Sequence, residues 1–183
     1  ILEAGDASPA VYGELIVPGA NRTLMLYTHY DGQPVEPENW ASDPYEPIVR
    51  AGRLEDGAEI LDDPLSGEID PDWRIYARSS SDDKSPLVAI LHAINALRAA
   101  GLGPNVNIRF FLEGEEEAGS PHLRALLETH RDLLQSDLWL IADGPIDTRG
   151  DPRVLLGVRG VTSMQVTIHG AERVLHSGHY GNV

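Results

Sequence analysis

The sequence predicts an α/β domain, with helices layered on a mixed, largely parallel sheet, followed by the start of a smaller α+β domain. Three observations carry that prediction. Short apolar runs bounded by turn residues recur as strands would, stretches of helical period lie between them, and after Gly150 the pattern changes to alternation.

The strand-like runs cover residues 11–17, 24–27, 106–112 and 138–142, each short enough for a buried strand. The clearest helix covers 86–100, with Leu87, Ile90, Leu91, Ile94 and Leu97 on one face. Ser85 is placed to cap it, Pro86 suits its first turn, and Gly101 stops it. A second helix begins at Ser120 and Pro121 and carries Leu123, Leu126 and Leu127. The stretch 53–73 is rich in Asp, Glu, Gly and Pro and reads as a solvated excursion between elements. Residues 161–168 alternate, with Met164, Val166 and Ile168 on one side, as in a half-buried antiparallel strand. The division expected is therefore 1–155 for the first domain and 156–183 for the beginning of the second. The chain opens on Ile1 and stops just after that last run, so it reads as a fragment of a longer protein.

With 183 residues and 42% apolar composition, the chain has material for a core. No uninterrupted apolar run reaches the roughly 18 residues of a membrane span, and the first residues lack the pattern of a signal peptide. Acidic residues number 29 against 14 basic ones, a net charge of -15 that repels nucleic acid and anionic membranes and favours cations. Zero cysteines exclude disulfides and thiolate sites, so any metal must be held by His, Asp and Glu. This agrees with a cytoplasmic location.

In open α/β sheets, ligands collect at the carboxyl ends of the strands. The first such end here is followed by His29 and Asp31, another by Glu116 and Glu117, and a third by Asp143, while Asp82 and Asp83 precede the 86–100 helix. Four connections thus bring imidazole or carboxylate to one sheet edge, donors that zinc or manganese accepts. Singly, each has an ordinary alternative. His29 can be a polar strand end, Asp82 and Asp83 helix-start charges, and residues 115–117 a solvated acidic run.

The segments YTHYDGQPVEPENW with SDPYEP, ARSSSDDKSP, FLEGEEEAGS and GVRGVTSMQVTIHGAERVLHSGHYGN occur in that order and together resemble the M20 metallopeptidase family, its carnosinase-like dipeptidases especially. The resemblance covers nearly the whole chain. It implies a zinc-exopeptidase-like layered domain that binds the metals, then the start of a lid domain through which two subunits pair as a homodimer. It implies two zinc ions per active site, with manganese or cobalt as possible substitutes. His29, Asp82 and Asp143 would hold one ion, and Asp82 and Glu117 the other, together with a histidine from a later segment. Asp31 would orient His29, Glu116 would be the general base, and His176 would reach the partner subunit's site to steady an oxyanion. A cis peptide between Asp82 and Asp83 is also implied.

The implied activity is hydrolysis of an amide bond in a dipeptide or short peptide, with an N-acyl amino acid deacylase as the alternative within the family. A non-enzymatic metal-binding module is the alternative from another class; the intact set of acidic and imidazole groups argues against it. Three positions depart from the pattern. The family has glycine where this chain has Ala77 and Ser79, and again at Ser85. Arg78 and Lys84 read as charge partners of the acidic site, and His92, His122, His130 and His169 as surface or packing residues.

Overall fold

The computed structural model describes residues 1–145, 153–170, 176 and 178. It divides the chain into two compact units, Ile1–Pro145 and Ile146–Val183.

In the first unit the elements run β1 (Val11–Leu15), β2 (Thr23–His29), β3 (Ile48–Arg50), β4 (Arg74–Tyr76), α1 (Lys84–Ala99), β5 (Asn107–Glu113), α2 (Leu123–Thr129), α3 (Arg131–Leu134) and β6 (Leu138–Ile141). The main sheet has the order β1-β5-β2-β6. Strands β5, β2 and β6 are parallel and β1 joins antiparallel to β5, so the sheet is mixed and mostly parallel as expected. The register aligns His29 with Glu113 and Tyr27 with Ile141. Three strand ends therefore finish at one edge.

Met25, Tyr27 and Phe111 project from one face of this sheet and pack with Leu2, Ala10, Leu126 and Leu134 in a single buried cluster. Tyr27 stacks on Phe111 with ring centroids 6.1 Å apart, and Trp139 meets Phe111 edge-on at 5.9 Å. Met25, Phe111 and Leu126 are almost wholly buried, and each such side chain contributes roughly 1.5–3 kcal/mol by leaving water. Arg109 donates from Nη1 to the Leu133 and Gln135 carbonyls at 2.7 and 2.6 Å. Those bonds satisfy acceptors at the end of α3 that the helix leaves open.

Helix α1 lies against β2; Leu87, Ile90 and Ile94 are half-buried, while Leu91 and Leu97 of the expected stripe stay exposed at 46% and 41%. Its start differs from the expectation. Asp83 occupies the N-cap without a side-chain capping bond, and Ser85 lies within the helix, donating to the Ser81 carbonyl at 2.9 Å. Asp83 cannot cap because its carboxylate is engaged elsewhere, as described below.

Two features departed from the pattern read in the sequence. Strands β3 and β4 form a small antiparallel sheet, too short to be marked by alternation, and the acidic excursion is the connection between them. The strand expected over 161–168 does not form: those residues are irregular and exposed. A strand needs a neighbour to receive its backbone donors and acceptors, and among the described residues none pairs with it.

Candidate metal centre

The centre lies at the carboxyl edge of β5, β2 and β6. His29 is the last residue of β2, and its side chain is fully buried while Asp82, from the loop before α1, is 66% exposed. Backbone bonds fix the start of the following loop: the Tyr30 N–H donates to the Glu113 carbonyl at 2.8 Å. Beyond β6, the Ala142 N–H donates to the Tyr27 carbonyl at 2.9 Å, which leaves Asp143 next in line at the same edge.

These placements bring three predicted ligands together. One potential ligand atom from each of His29, Asp82 and Asp143 lies within 4.8 Å of the others. His29 Nε2 is 3.0 Å from Asp82 Oδ1 and 3.9 Å from Glu116 Oε2, so the expected base borders the same imidazole nitrogen. On the far side of the ring, His29 Nδ1 is 3.2 Å from Asp31 Oδ1. That is ion-pair distance, outside hydrogen-bond geometry, and both atoms are buried without another polar partner. The peptide between Asp82 and Asp83 is cis.

Glu117 is placed differently from the other expected ligands. Its carboxylate accepts from the Gln33 side chain at 2.6 Å and from the Gln33 N–H at 3.2 Å, and its own N–H donates to Asp31 Oδ2 at 3.0 Å. Asp31 thus touches His29 with one oxygen and fixes Glu117 with the other. His176 belongs to the second unit, where its Nδ1 accepts the Gly178 N–H at 3.0 Å.

Several residues to which the motifs assign no role also support this edge. Asp83 is only 3% exposed and accepts the His29 backbone N–H at 3.1 Å, so it holds the imidazole-bearing backbone in place of capping α1. Glu113 is buried beside His29 and accepts the Tyr27 hydroxyl at 2.7 Å. Its two-residue spacing from Phe111 along β5 was the available signal, because alternate residues share a face. Glu115 accepts the Ser8 N–H at 2.8 Å and pairs with His122 at 2.9 Å, tying the N-terminal segment to the acidic turn. The Ser8 N–H and His122 hold the Glu115 carboxyl below its usual range. Neither Arg78 nor Lys84 pairs with a carboxylate among the described residues; Arg78 instead stacks 5.1 Å over the Trp40 ring. His130 Nε2 donates to the Glu3 carbonyl, 2.9 Å away, in keeping with a packing role.

The charge balance of the edge asks for a cation. Burial pulls the His29 imidazole down, but Asp83, Asp82, Asp31 and Glu116 outweigh it and raise its pKa above the ordinary value. Burial also raises Glu116, reinforced by Asp143, Glu117 and Asp31 and opposed by His29. Asp83 is pushed up to about 6, chiefly by burial. Carboxylates this crowded resist ionising together, and a divalent ion relieves the crowding directly. Exposed acids alone would not decide the matter. A buried imidazole with two carboxylate oxygens in reach of one point does fit, since this donor set suits zinc and tolerates manganese.

Comparison with known proteins gives the lineage. The model of peptidase family M20/M25/M40 matches residues 25–175. The chain belongs to this family. It is 30% identical over 178 residues to the human Beta-Ala-His dipeptidase, covering 96% of this chain and 31% of that protein. It is also 30% identical over 175 residues to the Cys-Gly metallodipeptidase dug1 of Schizosaccharomyces pombe, covering 94% of this chain and 33% of that protein. Among solved structures, the M20 family metallo-carboxypeptidase Sso-CP2 from Sulfolobus solfataricus superposes with a TM-score of 0.62 at 35% identity, over 84% of this chain and 30% of that one. Human carnosine dipeptidase 1 gives 0.54 at 31% identity, over 75% and 26%. The chain spans about a third of the length of the curated relatives it matches. Among the described residues no helix is long and apolar enough to cross a membrane.

Proposed function

We propose that this chain carries the metal-holding edge of a dipeptidase that hydrolyses an amide bond by activated water, with Glu116 as the general base. The observation that carries the reading is the meeting of His29, Asp82 and Asp143 at one point, with Glu116 Oε2 3.9 Å from His29 Nε2. A dipeptide substrate is favoured because the similar curated proteins are named as dipeptidases.

His29, Asp82 and Asp143 would hold one zinc ion, and Asp82 with Glu117 would contribute to a second. When bound, such ions acidify water and polarise a carbonyl oxygen. The rest falls to the chain. Asp31 fixes the orientation of the His29 ring and of the Glu117 backbone, an arrangement that keeps a ligand pointing where it is needed. Glu116 takes the proton from the attacking water. Its raised pKa helps it keep that proton until the carbon–nitrogen bond breaks, when the proton passes to the departing amine. The His176 imidazole would donate to the oxyanion in a partner subunit of a homodimer.

Chelation should abolish dipeptide hydrolysis by the native protein, and added zinc, manganese or cobalt should restore it. Full turnover after exhaustive metal removal, verified by elemental analysis, would sink this reading. The dimer role of His176 has its own test. Mixing inactive Glu116→Gln subunits with inactive His176→Ala subunits should regenerate activity, because one mixed site then holds both intact groups; no recovery despite proven subunit exchange would contradict it.

A further inference from the structure

The end of β2 with the loop that follows, and the loop before α1, supply His29, Asp31 and Asp82 from sequence positions far apart, so something must set the distance between them. One tie is the bond from the His29 N–H to Asp83, and a second contact lies at Gly32 and Ser79. Ser79 is 8% exposed, and its hydroxyl donates to the Asp31 carbonyl at 3.3 Å. Its own carbonyl accepts the N–H of Lys84, the first residue of α1, at 3.2 Å. One serine therefore links the Asp31 backbone to the helix start, across the loop that bears Asp82 and Asp83.

Gly32 faces this serine with no room to spare. A methyl group there would overlap Ser79 Oγ, and would stand 3.2 Å from both Cγ and Cδ of Arg78. Arg78 cannot easily give way. Its guanidinium is stacked over Trp40 at 5.1 Å, and its N–H donates to the Pro44 carbonyl at 2.7 Å. Ser79 holds φ at 63°, a left-handed conformation that disfavours any residue with a Cβ.

We propose that Ser79, backed by Arg78 on Trp40, is a positioning residue: its hydroxyl fills the space over Gly32 and sets the separation of the His29 loop from the Asp82 loop. The 3.0 Å approach of His29 Nε2 to Asp82 Oδ1 is the quantity it controls. The inference rests on reading the His29, Asp82 and Asp143 cluster as a metal site.

The test uses this chain and zinc alone, titrated against a chromophoric chelator, with circular dichroism and thermal melts in chelator to follow folding separately. Ser79→Gly removes the filler and should weaken zinc binding by about threefold to tenfold. Gly32→Ala forces the loops apart and should weaken it by about 10- to 100-fold, the range found when partners behind metal ligands are disturbed. In the double variant the overlap with the hydroxyl is gone and only the 3.2 Å contacts with Arg78 remain, so affinity should recover most of what Gly32→Ala lost. Should Gly32→Ala fail to fold, recovery of folding and zinc binding in the double variant is the same result. A merely structural contact would lower the melting temperature without this reciprocal recovery of affinity. Wild-type zinc affinity in folded Gly32→Ala, or a folded double variant that binds no better than Gly32→Ala, would overturn the inference. No zinc binding by the wild-type chain would instead sink the metal reading on which it rests.

Discussion

Asp31 reaches two neighbours with its two carboxylate oxygens, His29 Nδ1 at 3.2 Å and the Glu117 N–H at 3.0 Å. Removing it should loosen both. Asp31→Ala is therefore expected to weaken zinc binding by about 10- to 100-fold, and isothermal titration at fixed pH would show it; unchanged affinity would mean the His29 ring needs no support. The adjacent glutamates separate more sharply. Glu116→Gln in the native protein should leave metal content nearly intact while lowering kcat by about 10²- to 10⁴-fold, the span of general acid-base catalysis. Glu117→Gln should lower metal content instead. Identical behaviour of the two variants in metal analysis and kinetics would contradict the division of roles. The placement of these residues at one edge was legible in the sequence because charged groups follow the strand ends. Which oxygen meets which nitrogen was not: Asp83 was expected at the edge but not its bond to the His29 N–H, and Gln33 was missed, because these bonds run to groups remote in sequence.

At the scale of elements, the parallel strands β5, β2 and β6 hold the edge in place, and Phe111 is the buried hinge of their packing, touching both Tyr27 and Trp139. Phe111→Ala should cost about 3–5 kcal/mol of stability, the usual range for emptying an aromatic core site. Urea unfolding monitored by circular dichroism measures it, and a loss under 1 kcal/mol would show that this core is not what fixes the strands. The four strands of the main sheet and α1 could be read from bounded apolar runs and helical spacing. Strands β3 and β4 could not, since Ile48–Arg50 and Arg74–Tyr76 are three residues each and are partners across a long acidic connection. The alternation at 161–168 misled in the opposite way: a pattern suited to a strand does not make one without a paired neighbour.

For the molecule as a whole, the crowded carboxylates tie stability to pH. In the metal-free chain the Asp83 pKa is raised from 3.8 to about 6, so the folded state binds its proton more tightly than the unfolded state does. That contribution is fully present below about pH 4 and is lost as pH rises through about 6. Melts in chelator should accordingly show an Asp83 contribution that falls by the order of 1–3 kcal/mol across this window, and Asp83→Asn should flatten that part of the profile. Added zinc should recover the stability most strongly above pH 6, where the carboxylates are ionised and imidazole protonation no longer competes. Zinc bound per chain after dialysis, for the wild type and for Asp82→Asn, tests whether His29, Asp82 and Asp143 form a metal site. Asp82 is largely exposed, so the substitution leaves the core untouched. The wild type should hold one zinc tightly, and a folded Asp82→Asn variant should lose it. A wild-type chain that retains no zinc, or a variant that retains it equally well, would contradict the metal site.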